Sequence, residues 1–237
     1  MMTKVPHLVS IQVGLPRQIG KEVAECAEDS PWVSGIFKEP VKGPVWLGRT
    51  NLAGDGQADL KLHGGPDKAV LAYAASHYPV WREELRLNIQ HGAFGENFTI
   101  DGLTEKDVCI GDIYAIGDAV IQVSQPRQPC WKLSRRFKIR DMVTRVHASS
   151  RGGWYFRVIE EGYVDHGLPV FLREKPFPEW TVARAYEIRF NIGKDLDSAI
   201  SLGKCSSLSE RWRTAILAKV ESFKRLREIV EGSNCGF

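Results

Sequence analysis

The chain has 237 residues, 43% of them hydrophobic and 26% charged, with 22 glycines, 12 prolines and a net charge of +3. That balance describes a folded globular protein and excludes wholesale disorder, a collagen repeat or a coiled coil. No run approaches the roughly 18 apolar residues a membrane helix needs, and the start Met1–His7 lacks an apolar core and a small-residue cleavage site, so a cytoplasmic protein with no membrane role is expected.

In chain order, His7–Val13 alternates and stops at Gly14-Leu15-Pro16, and Pro31–Phe37 and Gly43–Leu47 are short apolar pieces bounded by Gly and Pro. Lys68–Tyr73 is a compact apolar run, Ser76–Leu87 carries Tyr78, Trp81 and Leu85 on one helical stripe, and Asn97–Ile100 ends at the turn pair Asp101-Gly102. Asp112–Ser124 reads as a hairpin about Gly117-Asp118. Short helices are expected over Cys130–Phe137 and Arg140–His147, and a strand pair over Trp154–Ile159 and Tyr163–Phe171. Many short strands punctuated by Gly and Pro indicate an antiparallel barrel or sandwich, so the fold class is mainly β with helices. After Pro176-Phe177-Pro178 the texture becomes helical. Thr181 and Asp195 are N-cap candidates, and Ser207-x-x-Glu210 is a capping box for a long helix. Its stripe is Leu208, Trp212, Ile216, Val220, Phe223, Leu226 and Val230. Residues 1–175 therefore form a β-domain, 176–232 a three-helix bundle docked on it, and 233–237 a loose tail.

Charge and sulfur are unevenly placed. Between Gln125 and Arg157 lie nine basic residues and one acid, a local +8, which leaves 23 basic against 28 acidic elsewhere. Such a concentration raises an anionic ligand or a nucleic acid as partner. The cysteines, Cys26, Cys109, Cys130, Cys205 and Cys235, show no CxxC or CxxH spacing. A zinc ribbon, a thioredoxin-type dithiol and a clustered iron–sulfur site are not expected, and reduced thiols are.

Four clusters could carry chemistry. In Gln125-Pro126-Arg127-Gln128-Pro129-Cys130 two prolines stiffen a turn that delivers a thiol to a helix start among cations. That setting favours thiolate, against the alternative of a buried cysteine acting as a small hydrophobe. His63-Gly64-Gly65-Pro66-Asp67-Lys68 is a tight turn that either cradles an anion or merely carries a surface lysine, with His63 as a turn cap. It lacks the P-loop spacing. Gly95-Glu96-Asn97-Phe98-Thr99 is a binding loop or simply the entry to a strand. Gly152-Gly153-Trp154-Tyr155-Phe156-Arg157 sets aromatics among arginines, either as a pocket for a planar anionic or heteroaromatic ligand or as a core strand with solvated arginines. No RRM, KH or helix-turn-helix pattern accompanies them, so nucleic acid is not the expected partner.

Together these four motifs and the helical tail resemble the MOSC family, the molybdenum-cofactor sulfurase C-terminal domain proteins, in its YiiM-like branch. The resemblance implies a MOSC-type β-barrel holding a molybdenum cofactor (Mo-molybdopterin), with Cys130 as metal ligand and catalytic residue. His63, Gly64, Gly65, Lys68, Asn97, Phe98, Thr99, Gln125 and Arg127 would be cofactor contacts, with Lys68 and Arg127 foremost for the pterin phosphate. Trp154, Tyr155 and Arg157 would face a substrate. The family includes the mitochondrial amidoxime-reducing components, so the implied activity is reduction of N-hydroxylated nucleobases or related N–OH compounds to amines. The chain has no ferredoxin-like, flavin or Rossmann motif, so an external electron-donor protein is expected, and a homodimer stays open. A cofactor or sulfur carrier, and a nucleotide- or nucleic-acid-binding module, are the alternatives.

Overall fold

The computed structural model describes residues 5–22 and 30–233, the last six by backbone alone; Cys26, Cys235 and the end of the expected tail lie outside them. Its strands are β1 (His7–Val13), β2 (Arg17–Ile19), β3 (Trp32–Ser34), β4 (Glu39–Pro40), β5 (Val45–Leu47), β6 (Val70–Ala74), β7 (Phe98–Asp101), β8 (Ile113–Ile116), β9 (Ala119–Pro126), β10 (Trp154–Glu160), β11 (Gly162–Val164) and β12 (Phe171–Glu174). Eight of them form one sheet in the order β12-β8-β9-β10-β6-β7-β1-β4. All its pairs are antiparallel except β6–β7, which run parallel because α2 (His77–Leu85) and a long loop return the chain in the same direction.

The sheet curls back on itself. Leu8 N donates to Leu168 O at 2.9 Å and Gly167 N to Leu8 O at 2.7 Å, which ties β1 to the segment just ahead of β12. This partial barrel agrees with the expected MOSC-type fold. The predicted pairing around Glu161-Gly162 differs. β10 pairs with β9 and β6, while β11 crosses to β5, since β10 is a central strand whose two edges are already taken.

The remaining helices are α1 (Leu60–His63), α3 (Lys132–Phe137), α4 (Met142–Ser149), α5 (Val182–Phe190), α6 (Leu196–Lys204) and α7 (Glu210–Ser233). Thr181 and Asp195 cap α5 and α6 as predicted, accepting from Arg184 N and Ser198 N. For α7 the cap is Ser209 rather than Ser207, with Trp212 N reaching Ser209 Oγ at 3.4 Å. Ser209 Oγ also donates to Gln125 Oε1 at 2.8 Å, so the start of α7 is pinned to the end of β9. One apolar cluster runs from Leu8, Phe98, Val123 and Trp154 through Trp180 and Ile188 to Leu202, Trp212, Ile216 and Val220. At about 1.5–3 kcal/mol for each large side chain buried, this shared core fastens the three helices to the barrel. Beyond Val220 the stripe outruns it, leaving Phe223 and Leu226 exposed. A second cluster joins Tyr78 and Trp81 of α2 to Trp32, Tyr73, Phe94, Leu133, Met142 and Val146. Among the described residues no helix is long and apolar enough to cross a membrane.

Candidate functional site

A cleft of about 630 Å³, its solvent-open mouth included, lies where six stretches of chain meet to form four walls. The α1 turn contributes His63 and Lys68; the start of β6 and the loop before β7 contribute Leu71, Phe94, Gly95 and Asn97. The turn after β9 contributes Arg127, Gln128, Cys130 and, from α3, Lys132, while Tyr155 comes from β10. The fourth wall, Ser34–Ile36, Lys38 and Gly56–Ala58, comes from segments in which the sequence marks no site.

Cys130 is half-exposed at the end of the Pro126–Pro129 turn, and its carbonyl accepts Leu133 N at 3.0 Å. Among the described residues, the lining around it presents four formal cations, Lys38, Lys68, Arg127 and Lys132, and no carboxylate. Each cation is tethered. Lys68 Nζ donates to Leu62 O at 2.6 Å and Lys132 Nζ to Val33 O at 2.9 Å. Arg127, itself buried, donates to Phe94 O at 2.9 Å. Lys38 pairs with the buried carboxylate of Asp55. Burial lowers the pKa of Lys38 against the pull of Asp55, and burial followed by Arg211 lowers that of Lys68. His63 is pushed down to about 4, by burial first and then by Lys132, Lys68 and Arg127. At neutral pH it is therefore an uncharged imidazole. Burial raises the Tyr155 phenol, which stays protonated.

Of the residues singled out from sequence, the fold brings His63, Lys68, Asn97, Arg127, Cys130 and Tyr155 to this cleft. Asn97 is also a bracket. Its Oδ1 accepts Leu71 N at 3.1 Å and its Nδ2 donates to Asp55 Oδ2 at 2.9 Å.

The others are placed elsewhere. Gly64 and Gly65 form the turn that separates His63 from Lys68 but do not line the cleft. Phe98 belongs to the core, and Thr99 donates to the buried Glu96 at 3.0 Å. Gln125 is occupied by Ser209, Trp154 is fully buried, and Arg157 is held by Asp67 at 2.8 Å. Period-two alternation explains the split on β10: Trp154 and Phe156 point into the core, so Tyr155 faces the other way. The glycine ahead of them is required. Gly153 has φ +81°, and a Cβ there would stand 2.3 Å from Ala72 O.

The basic segment is also redistributed. Only Arg127 and Lys132 of its nine cations reach the cleft. Arg151 pairs with Glu84, Arg145 with Asp141 and Arg157 with Asp67, while Arg136 donates to Ile36 O. The other two cleft cations, Lys38 and Lys68, lie outside the segment. Lys38 carried no local signal, because only the β1–β4 pairing of Gln12 with Pro40 and Val13 with Glu39 brings it there.

Comparison with known proteins identifies the family and the fold. Residues 59–171 match the model of the MOSC domain. The chain is 42% identical to the Bacillus subtilis protein YflK over 90% of its own length and 93% of that protein's. The crystal structure of YiiM from Geobacillus stearothermophilus superposes with a TM-score of 0.75 at 33% identity, covering 91% of this chain and 99% of that one. A Gibberella moniliformis protein named "Reductase" is 39% identical over 65% of this chain, which spans 28% of that longer protein.

Proposed function

The chain belongs to the MOSC domain family, and from that premise we propose that it is a molybdenum-cofactor-dependent reductase converting N-hydroxylated compounds to amines, with Cys130 as the protein's ligand to the metal. The observation that carries this reading is a cleft in which, among the described residues, one thiol stands with four cations and no carboxylate. Among the described residues no group of three or more His, Cys, Asp or Glu is placed to hold a bare ion. This supports a metal that arrives already chelated, and a soft, thiolate-accepting centre suits a lone cysteine. The residues present fit a pterin dithiolene bearing a phosphate.

When bound, that cofactor would supply the two-electron redox chemistry that N–OH reduction needs. The chain's own groups bind and orient. Lys68 and Lys132 each keep ammonium donors beyond their backbone tether, and Arg127 is fixed in plane by Phe94 O; together they suit a phosphate. Asp55 holds Lys38 at the far wall. Neutral His63 and the protonated Tyr155 offer hydrogen bonds without adding charge. Electrons come from an external donor protein. The fungal relative's name, "Reductase", supports the redox class.

The test expresses wild type and Cys130→Ser in cofactor-competent cells and measures molybdenum content and N–OH reduction with an artificial reductant. The wild type should carry molybdenum and turn over, and the serine variant should lose at least about 100-fold in rate. Full activity in the variant, or turnover without molybdenum, would overturn the reading. Bound molybdenum without turnover points instead to a carrier.

A further inference from the structure

The turn from Asp59 to Lys68 brings His63 and Lys68 to the cleft, yet no core anchors α1 within it. None of the four α1 residues is buried, and Leu60 and Leu62 leave 69% and 47% of their surface to water. An isolated helix this short does not hold itself, so its placement falls to hydrogen bonds. Asp59 Oδ1 accepts Leu62 N at 3.0 Å and Asp59 O accepts His63 N at 2.9 Å, both inside the turn. So is the bond from Lys68 Nζ to Leu62 O. Among the described residues, the one hydrogen bond that reaches α1 from outside the turn is Arg211 Nη1 to Lys61 O at 3.0 Å, from 150 residues further along the chain.

Arg211 stands in the first turn of α7, and that turn is itself fixed. Ser209 N donates to Ser124 O at 2.9 Å and Ser209 Oγ to Gln125 Oε1 at 2.8 Å, so α7 begins where β9 leads into Arg127 and Cys130. The start of the bundle thus spans two sides of the cleft. One contact is the end of β9; the other is the carbonyl next to Leu62 O, the acceptor of the Lys68 ammonium. The charge of Arg211 adds to burial in lowering the Lys68 pKa, which marks the two cations as neighbours. They repel in the free protein, and only the hydrogen bond to Lys61 O keeps Arg211 over the turn.

We propose that Arg211 is a positioning residue of the anion site: it holds α1, α1 holds the Lys68 ammonium through Leu62 O, and the C-terminal helices are thereby a working part of the cleft. The proposal rests on the anion-binding half of the reading above, not on molybdenum or turnover. Because coupling between two sites is reciprocal, an anion in the cleft tightens α1 against α7 by the same factor by which Arg211 tightens the anion.

The test uses the full cofactor-free chain with inorganic phosphate as probe. In Arg211→Ala the Leu62 and His63 amides should exchange with solvent about 3- to 10-fold faster by NMR, the worth of one solvent-screened hydrogen bond, while amides of α5 and β9 keep their rates. Phosphate affinity should fall by a similar factor, and saturating phosphate should slow the Leu62 and His63 amides more in wild type than in the variant. Unchanged exchange at Leu62 and His63 overturns the proposal. So does an equal rise across α5 and β9, since Arg211 would then support the docking of the whole bundle. A double-mutant cycle with Lys68→Met separates positioning from contact. The two losses in phosphate affinity should be non-additive; full additivity means that Arg211 touches the anion itself and overturns the positioning role. If wild type binds phosphate with this dependence on Arg211 but carries no molybdenum from cofactor-competent cells, the reductase reading fails and the proposal stands. A wild type that binds no phosphate overturns the proposal whatever its metal content.

Discussion

Removing the Asp55 carboxylate should cost the fold far more than an ordinary surface substitution. Its side chain is fully buried and that of its partner Lys38 is 6% exposed. Besides the ammonium it accepts Gly14 N at 2.9 Å and Asn97 Nδ2 at 2.9 Å. Asp55→Ala leaves a buried cation without its counter-charge and two further donors unsatisfied. Breaking one side of a buried pair costs about 3–5 kcal/mol. In a chain of this length each kcal/mol moves Tm by about 2–4 °C, so the loss is about 6–20 °C. Scanning calorimetry reads it directly. The sign of its pH dependence is fixed too. With Asp55 gone the Lys38 pKa falls further below its ordinary 10.5, so the unfolded chain binds the extra proton. The variant's deficit must therefore shrink as pH rises toward 10. Lys38→Met/Asp55→Leu, which removes both charges, should recover most of the loss. A single variant melting within 2 °C of wild type would refute the assignment of Asp55 as the buried counter-ion.

Two further outcomes follow from the cleft and the sheet. His63 should titrate near 4 by NMR in the free protein, and its contribution to stability should be lost as pH falls from about 6.5 through 4, because the unfolded imidazole takes up its proton first. Inorganic phosphate bound among the cations should raise that pKa and hence bind more tightly at lower pH; a free-protein value near 6.5 would contradict the placement of His63. Gly153→Ala should lower Tm by at least about 5 °C, because strand separation must relieve the contact with Ala72 O as well as the positive φ. Gly167→Ala, at the same φ of +81° but with no atom within 4 Å, should cost only about 1–2 kcal/mol; equal losses in the two variants would show that the Ala72 contact is unimportant.

The local pattern announced most of the elements. Period-two alternation and turn residues placed β1, the β8–β9 hairpin and β10, and caps at Thr181 and Asp195 placed α5 and α6, because those signals act within a few residues. What failed was long-range. The partner of β11 is β5, more than 110 residues away in sequence, and no turn between them could reveal it. Ser207 looked like the α7 cap by spacing alone, but Ser209 is selected because its hydroxyl also reaches Gln125 on β9. Within the site, Cys130, Arg127, Lys68 and His63 were legible as clusters around turns. Lys38 and Asp55 were not, since an isolated lysine and an aspartate 17 positions apart look like any solvated pair until the sheet closes over them.

The same geometry changes the meaning of the +8 segment. Charge counted along the chain suggested that the segment itself forms the binding surface, yet most of its cations are answered locally by carboxylates or carbonyls. The positive cleft instead draws its cations from three separate stretches of chain, which carry Lys38, Lys68, and Arg127 with Lys132. Gathering Lys38, Lys68, Arg127 and Lys132 around one cavity with no carboxylate in its lining among the described residues is electrostatically unfavourable in the free protein. The backbone carbonyls of Leu62, Val33 and Phe94 relieve part of that repulsion, as does Asp55. His63 is pushed down by burial first, and Lys132, Lys68 and Arg127 then add to that push, in keeping with a residual positive field. An anion entering the cleft removes the residual strain, and whatever binds the folded state alone stabilises it in proportion to its affinity. A cation-lined site of this kind is held together best when filled, which is the physical reason to look for a tightly held, negatively charged cofactor rather than a passing nucleic acid.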